Sequence, residues 1–139
     1  MKIYSENIVD EKKNFSFKKE ERLCSKKVID QLFSEGDSFL LFPIKVLFQE
    51  TSLHSKSPVQ AAFSVGKRNF KLAVHRNLIK RKMREAYRLN KHQLYSELKE
   101  KQVAIFFVFI AQNIPEYELL EKAMKKIIEK VIKEISAAD

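Results

Sequence analysis

The apolar residues of this chain recur at spacings that predict three helices. Ser25 is suited to cap a first helix, whose apolar positions lie at helical spacing within residues 28–33, and Gly36 is suited to end it in a left-handed conformation. A second amphipathic helix is expected from about Val74 onwards. A third is expected after Pro115, a residue that suits a first helical turn.

Continuous apolar runs between these helices predict strands. Residues 38–49 are rich in Phe, Leu, Ile and Val around Pro43, which indicates one interrupted strand or two short strands. Residues 59–65 predict another strand, which ends at Gly66. Residues 103–111 are apolar at consecutive positions, as expected of a strand that is covered on both faces in the middle of a sheet.

Length and composition describe one globular domain. The chain has 139 residues, of which 45% are hydrophobic and 32% are charged. Residues 1–14 are polar and unpatterned and predict a mobile arm, which leaves residues 15–139 as the domain. No apolar run approaches the roughly 20 residues that a membrane-spanning helix needs, and the start of the chain has no signal-peptide core. We therefore expect a cytoplasmic protein that does not contact a membrane.

The counts of cysteine, histidine and glycine exclude several classes of site. One cysteine cannot form an internal disulfide, and one cysteine with three histidines gives no spaced set of zinc ligands. Gly36 and Gly66 are too far apart to build a phosphate-binding loop, and two glycines are too few for a dinucleotide fingerprint. We predict no metal site in the protein and no organic cofactor.

The net charge of +9 is concentrated in one segment of the chain. Between Lys67 and Lys91 there are ten cations and one anion, Glu85, whereas the rest of the chain holds 17 cations and 17 anions. Such a segment is typical of a protein that binds a polyanion, because each cation placed on a phosphate releases condensed counterions. The alternative is a solvated helix face, although such a face normally mixes the two signs of charge.

A helical projection places this segment's cations and its apolar residues on opposite faces. Lys67 and Arg68 precede the helix, where free backbone N–H groups would add to anion binding. We expect Glu85 to pair with Arg81, four residues earlier, or to be a structural residue, and not to be a metal ligand. The predicted polar face consists of Arg76, Asn77, Lys80, Arg81, Arg84, Arg88 and Lys91. The predicted apolar face consists of Leu78, Ile79, Met83, Ala86, Tyr87, Leu89 and Leu94.

The same segment offers little to a hydrolytic mechanism. Proteins that hydrolyse phosphodiesters normally hold one or two Mg²⁺ ions with clustered carboxylates, and here Glu85 stands alone. His75 and His92 have no carboxylate or serine at a spacing that would indicate a general base. We therefore predict phosphate binding and no catalytic residue in the protein.

The motif residues resemble those of a known family, the protein subunit of bacterial ribonuclease P. The resemblance covers most of the chain, and one departure is that the family usually has arginine where this chain has Leu78. The motif reads Lys67-Arg68-Asn69, Ala73, Arg76-Asn77, Lys80-Arg81 and Arg84-Glu85.

The resemblance implies a fold and an activity. The implied fold is α/β (α+β), a single-domain two-layer sandwich of about four strands and three helices like the second domain of ribosomal protein S5, with a left-handed βαβ crossover. The implied function is to bind the catalytic RNA subunit of ribonuclease P and the 5′ leader of precursor tRNA. The RNA is then expected to carry out endonucleolytic removal of the leader with Mg²⁺ that it mainly binds itself, and no protein partner is required.

The resemblance also implies roles for individual residues. Ile29 and Phe33 of the first helix would line a cleft for the leader, with Leu47 or Phe48 on the sheet side, although apolar residues at such spacing also fit a core. An alternative function is a stand-alone RNA-binding or ribosome-associated module, which would share the basic helix and need no exposed cleft. The residues expected to contact RNA are Lys67, Arg68, Arg76, Asn77, Lys80, Arg81, Arg84 and Arg88.

Overall fold

A computed structural model describes residues 16–98 and 100–137, so the predicted arm over residues 1–14 lies outside the described residues. The described part contains a short 3₁₀ helix, Lys19–Glu21, before the main elements. The helices are α1 (Lys26–Glu35), α2 (Ala73–Leu98) and α3 (Tyr117–Ala137). The strands are β1 (Asp37–Leu41), β2 (Ile44–Glu50), β3 (Val59–Val65) and β4 (Val103–Phe109).

The four strands form one mixed sheet in the order β1-β2-β4-β3. β1 and β2 are an antiparallel hairpin around the cis Phe42–Pro43 bond, so the interrupted run is two strands. β4 pairs with β2 on one side and with β3 on the other, which confirms its predicted central position. β3 and β4 are parallel and are connected through α2, and this is the unit in which the left-handed crossover is predicted.

Alternation along the strands divides the side chains between two faces of the sheet. One face packs against α2 and α3 in the main core, where Ile44, Val46, Val103, Ile105 and Phe107 are buried. On the other face α1 covers a smaller cluster that includes Leu32, Leu47 and Ala104. The fold is therefore the predicted α+β sandwich. The face of the sheet that α1 covers is called the outer face of the sheet below.

The ends of the helices confirm one prediction and correct two. The hydroxyl of Ser25 accepts the Val28 N–H at 3.3 Å, so Ser25 caps α1 as expected. Gly36 is not left-handed, since its φ is −71°. A side chain there is excluded for another reason, because a Cβ would lie 2.5 Å from the Leu32 carbonyl oxygen. Pro115 precedes α3, which begins at Tyr117, so it is not in the first turn.

No helix within the described residues is both long and apolar enough to span a membrane. The apolar stripe of α3 is instead used inside the domain, because Leu120, Met124, Ile127 and Val131 are buried against α2 and the sheet.

Candidate nucleic-acid interface

Helix α2 has the two faces that its sequence predicts. Ile79, Met83, Ala86, Tyr87 and Leu94 have no exposed surface and belong to the main core. Their burial fixes the rotation of the helix, so the opposite face points away from the sheet. Leu78 and Leu89, which the projection also placed on the apolar face, are only half-buried and lie at its margin.

Four of the predicted RNA-binding residues lie together on the outer face of α2. Asn77, Arg81 and Arg84 are exposed and Lys80 is half-buried. They line one surface cavity of about 460 Å³ together with Val74, His75 and Leu78. Arginine forks and a lysine ammonium around one depression suit the oxygens of phosphate groups.

The loop that precedes α2 carries further cations, and Arg76 braces it. The Arg76 guanidinium donates hydrogen bonds to the carbonyl oxygens of Phe70, at 2.7 Å, and Lys71, at 2.8 Å. Arg76 therefore lies with one edge of its guanidinium turned back onto the loop. Lys67 and Arg68 are exposed on the same loop and point their charges into solvent ahead of the helix.

The single acid of the segment has a different partner from the predicted one. Glu85 pairs with Arg88, three residues later, and not with Arg81. This ion pair holds Arg88, which is half-buried, against the helix, whereas Arg81 forms no ion pair with another described residue. Lys82, the one cation of the segment that the projection places in the apolar half, donates from its ammonium to the Pro115 carbonyl at 2.8 Å and so connects α2 to the start of α3.

Lys91 corrects the projection most clearly. It was placed on the polar face, yet its side chain is 2% exposed. Its ammonium pairs with the carboxylate of Glu21 and donates to the Ser16 carbonyl. Lys91 therefore anchors the N-terminal segment onto α2 and cannot contact RNA.

Hydrogen bonds hold Glu21 in its charged form inside this contact. Tyr95 donates its hydroxyl hydrogen to the Glu21 carboxylate at 2.6 Å, and the Lys18 backbone N–H donates to it at 2.8 Å. Burial by itself raises the pKa of Glu21, but these bonds and the Lys91 ammonium outweigh burial, so the pKa lies below its ordinary value. Burial raises the pKa of the Tyr95 hydroxyl, which therefore stays protonated as a donor.

The residues of α1 that are predicted to line the cleft lie where α1 packs on β2 and β4, and the predicted leader cleft at this place is called the groove below. Phe33 is 53% exposed and packs edge-to-face on Phe106 of β4, with ring centroids 5.0 Å apart. Ile29 is half-buried beside the small cluster on this face, and Leu47 is buried within it. An aromatic ring that is half exposed beside a second ring gives the groove a surface on which a nucleobase can stack.

Phe48 is not a cleft residue. It lies on the opposite face of the sheet, 4% exposed in the main core and edge-to-face with Phe39. Consecutive residues of a strand point to opposite faces, so only one of Leu47 and Phe48 could line the cleft. Because side chains alternate along a strand, Phe106 and Val108 of β4 lie on the side of α1. The sequence does not reveal which side this is, because β4 is apolar at every position and its two faces look alike.

One exposed cation outside the predicted set lies beside the interface. Arg22 lines a cavity of about 310 Å³ together with Arg84 of α2. The sequence segment around Arg22 mixes acids and bases, so its composition did not separate Arg22 from the neighbouring charges.

The chain is similar to known proteins over most of its length. The family model described as Ribonuclease P matches residues 17–132. The ribonuclease P protein component of Porphyromonas gingivalis strain ATCC 33277 is 39% identical over 114 residues, which cover 81% of this chain and 83% of that protein. The ribonuclease P protein component of Chlorobium phaeobacteroides is 34% identical over 128 residues, which cover 84% of this chain and 88% of that protein.

Solved structures share the fold. The RNase P protein from Thermotoga maritima matches with a TM-score of 0.63 at 20% identity and covers 79% of this chain and 96% of its own. The Staphylococcus aureus RNase P protein matches with a TM-score of 0.60 at 18% identity and covers 80% of this chain and 94% of its own. With the family model and the relatives in agreement, this chain belongs to the family of ribonuclease P protein components, the protein subunits of a ribonucleoprotein endoribonuclease.

Proposed function

We propose that this protein binds the catalytic RNA of ribonuclease P and the 5′ leader of precursor tRNA, and so assists removal of the leader. The observation that carries the proposal is the outer face of α2, where Asn77, Lys80, Arg81 and Arg84 surround one cavity. A helix fixes the spacing of the backbone positions that carry these cations, which favours a partner whose phosphates also have a fixed spacing, such as a structured RNA.

The groove beside α1 supports the second part of the proposal. A leader is single-stranded, and single strands are held by aromatic rings together with cations near the backbone. Phe33 and Phe106 supply the rings on the outer face of the sheet. Ile29 and Leu47 form the apolar wall beneath them.

The protein's side chains suit binding more than hydrolysis. The residues of the outer face of α2 are cations and an amide, whereas Mg²⁺ takes mainly carboxylate, phosphate and water oxygens as ligands. We therefore place Mg²⁺ mainly on the RNA partner, where it supplies Lewis-acid chemistry. The cations of α2 then offset repulsion between RNA strands and so strengthen the effect of bound Mg²⁺. We also propose a cytoplasmic location and assembly without a further protein, since RNA is the partner that this surface fits.

The proposal is tested by reconstitution with a bacterial ribonuclease P RNA. The protein alone is expected not to cleave precursor tRNA, and it is expected to stimulate the RNA at low Mg²⁺ concentration. Cleavage is measured at several Mg²⁺ concentrations, and a gel shift compares the catalytic RNA with a structured RNA of equal length. Cleavage by the RNA-free protein, or equal affinity for both RNAs, would contradict the proposal.

The Leu78 position gives a second test of this interface. Leu78→Arg is expected to bind the catalytic RNA modestly more tightly, because the half-buried side chain lines the same cavity as Arg81 and Arg84. The stem of the new arginine can lie along the protein surface, so we expect the free energy of unfolding to stay within about 1 kcal/mol of the parent. Unchanged affinity together with a large loss of stability would show that Leu78 is a core residue. Gel shifts and urea denaturation measure the two quantities.

A further inference from the structure

Arg22 lies between two anchored neighbours. Glu21 is buried and bound by Lys91 and Tyr95, and Leu23 is 5% exposed. The Leu23 N–H donates to the Ala61 carbonyl at 2.9 Å, and Arg22 bridges Ala61 at the outer edge of β3. Because the backbone is held on both sides of Arg22, its exposed side chain starts from a fixed position on the protein surface.

Arg22 and Arg84 line the same surface cavity. The cavity has a volume of about 310 Å³, and its lining is completed by Phe17, Leu23, Ala61, Ala62 and Phe63. The Arg22 guanidinium carbon lies 5.9 Å from the centroid of the Phe17 ring, which orients the cation by a cation–π contact. None of the ion pairs between described residues neutralises Arg22 or Arg84.

This cavity connects the two parts of the interface. Arg84 also lines the larger cavity on the outer face of α2, and Ala62 packs beside the small cluster that α1 covers. The cavity of Arg22 and Arg84 therefore lies between the residues predicted to hold the leader and those predicted to hold the catalytic RNA.

We propose that Arg22 and Arg84 together clamp one backbone phosphate of the single-stranded leader where it passes from the groove to helix α2. The proposal rests on the proposed function and extends it to a residue outside the basic segment. Two guanidinium groups can bind the oxygens of one phosphate from opposite sides. Without an anion between them, the two cations repel each other. Guanidinium forks match phosphate oxygens, which every nucleotide carries, so the contact is to the backbone and independent of leader sequence.

The experiment uses the holoenzyme reconstituted with a bacterial ribonuclease P RNA. Its affinity is measured for precursor tRNA with a leader of ten or so nucleotides and for mature tRNA without a leader. Arg22→Ala is expected to weaken binding of the long-leader substrate about tenfold, as the loss of a charge-assisted contact predicts. Binding of mature tRNA and of the catalytic RNA is expected to change less than about twofold. Lys125→Ala, which removes an exposed cation of α3, is the matched control and is expected to have no effect.

A double variant tests whether the two arginines share one phosphate. Arg22→Ala combined with Arg84→Ala is expected to lose less leader-dependent affinity than the product of the two single losses. Should Arg22→Ala fail to fold, Arg22→Gln replaces it, since glutamine keeps part of the stem without the charge.

The outcomes separate this inference from the proposed function. Equal losses for substrates with and without a leader, or a loss confined to the catalytic RNA, would assign the phosphate to another RNA and overturn the inference. An unchanged leader-dependent affinity in Arg22→Ala would overturn the inference as well. The proposed function would still stand in that case, provided that the wild-type protein stimulates the RNA. A wild-type protein that neither binds nor stimulates the RNA would overturn both.

Discussion

Replacing Glu21 by glutamine is expected to lower the free energy of unfolding by about 3–5 kcal/mol. The substitution leaves the Lys91 ammonium, 2% exposed, inside the domain without its counter-ion. A glutamine oxygen can accept a hydrogen bond from Lys91, but it does not offset the cost of burying the charge. Thermal and urea denaturation measure the loss, and a fall in Tm of about 10 °C or more is expected for a domain of this size.

A second substitution identifies the origin of that loss. Glu21→Gln combined with Lys91→Met is expected to recover much of the stability, because replacing a buried ion pair with uncharged side chains is often neutral. A double-mutant cycle on Glu21 and Lys91 then gives their coupling energy. A loss of less than about 1 kcal/mol in the single variant would show that the pair is well solvated.

Acid provides an independent measurement of the same contact. The pKa of Glu21 is lowered in the folded protein, so ionised Glu21 contributes stability at pH values above its ordinary pKa of 4.5. That contribution is lost as the pH falls from about 4.5 through the lower folded-state value. The wild type is therefore expected to lose more stability than Glu21→Gln in this range, as measured by urea denaturation at each pH.

The sequence predicted the elements because their signals are local. Spacing of apolar residues over a few turns located α2, and a continuous apolar run located β4 as the central strand. Contacts within a helix or along one strand depend on residues that are close in the chain, so the pattern was sufficient. The cap of α1 at Ser25 is a local signal of the same kind.

The wrong predictions for Lys91 and Phe48 depend on residues far apart in the chain. Lys91 looks like any other cation of α2, yet its partner Glu21 is 70 residues away. Leu47 and Phe48 are both apolar, and only the packing of α1 and α3 on opposite faces tells which of them lines the groove. Charge pattern and hydropathy contain no information on such partners, and the same limit hid Arg22 beside Arg84.

Met83→Ala is expected to lower stability and Arg81→Ala to weaken RNA binding, although the two residues are close together on α2. Met83 has no exposed surface, and its truncation leaves a cavity against the sheet that is expected to cost about 2–5 kcal/mol of stability. Arg81 is exposed and forms no ion pair with another described residue, so its truncation is expected to change stability by less than about 0.5 kcal/mol.

RNA binding is expected to show the reverse order. Loss of Arg81 removes one phosphate contact, which weakens binding of the catalytic RNA and lowers the slope of log affinity against log salt by about 0.7–0.9. Folded Met83→Ala is expected to keep the wild-type slope, because its outer face is unchanged. Gel shifts at several salt concentrations, below the melting temperature of each variant, measure the slopes. Equal losses of Tm in the two variants, or equal slopes, would mean that α2 does not divide into a face that packs and a face that binds RNA.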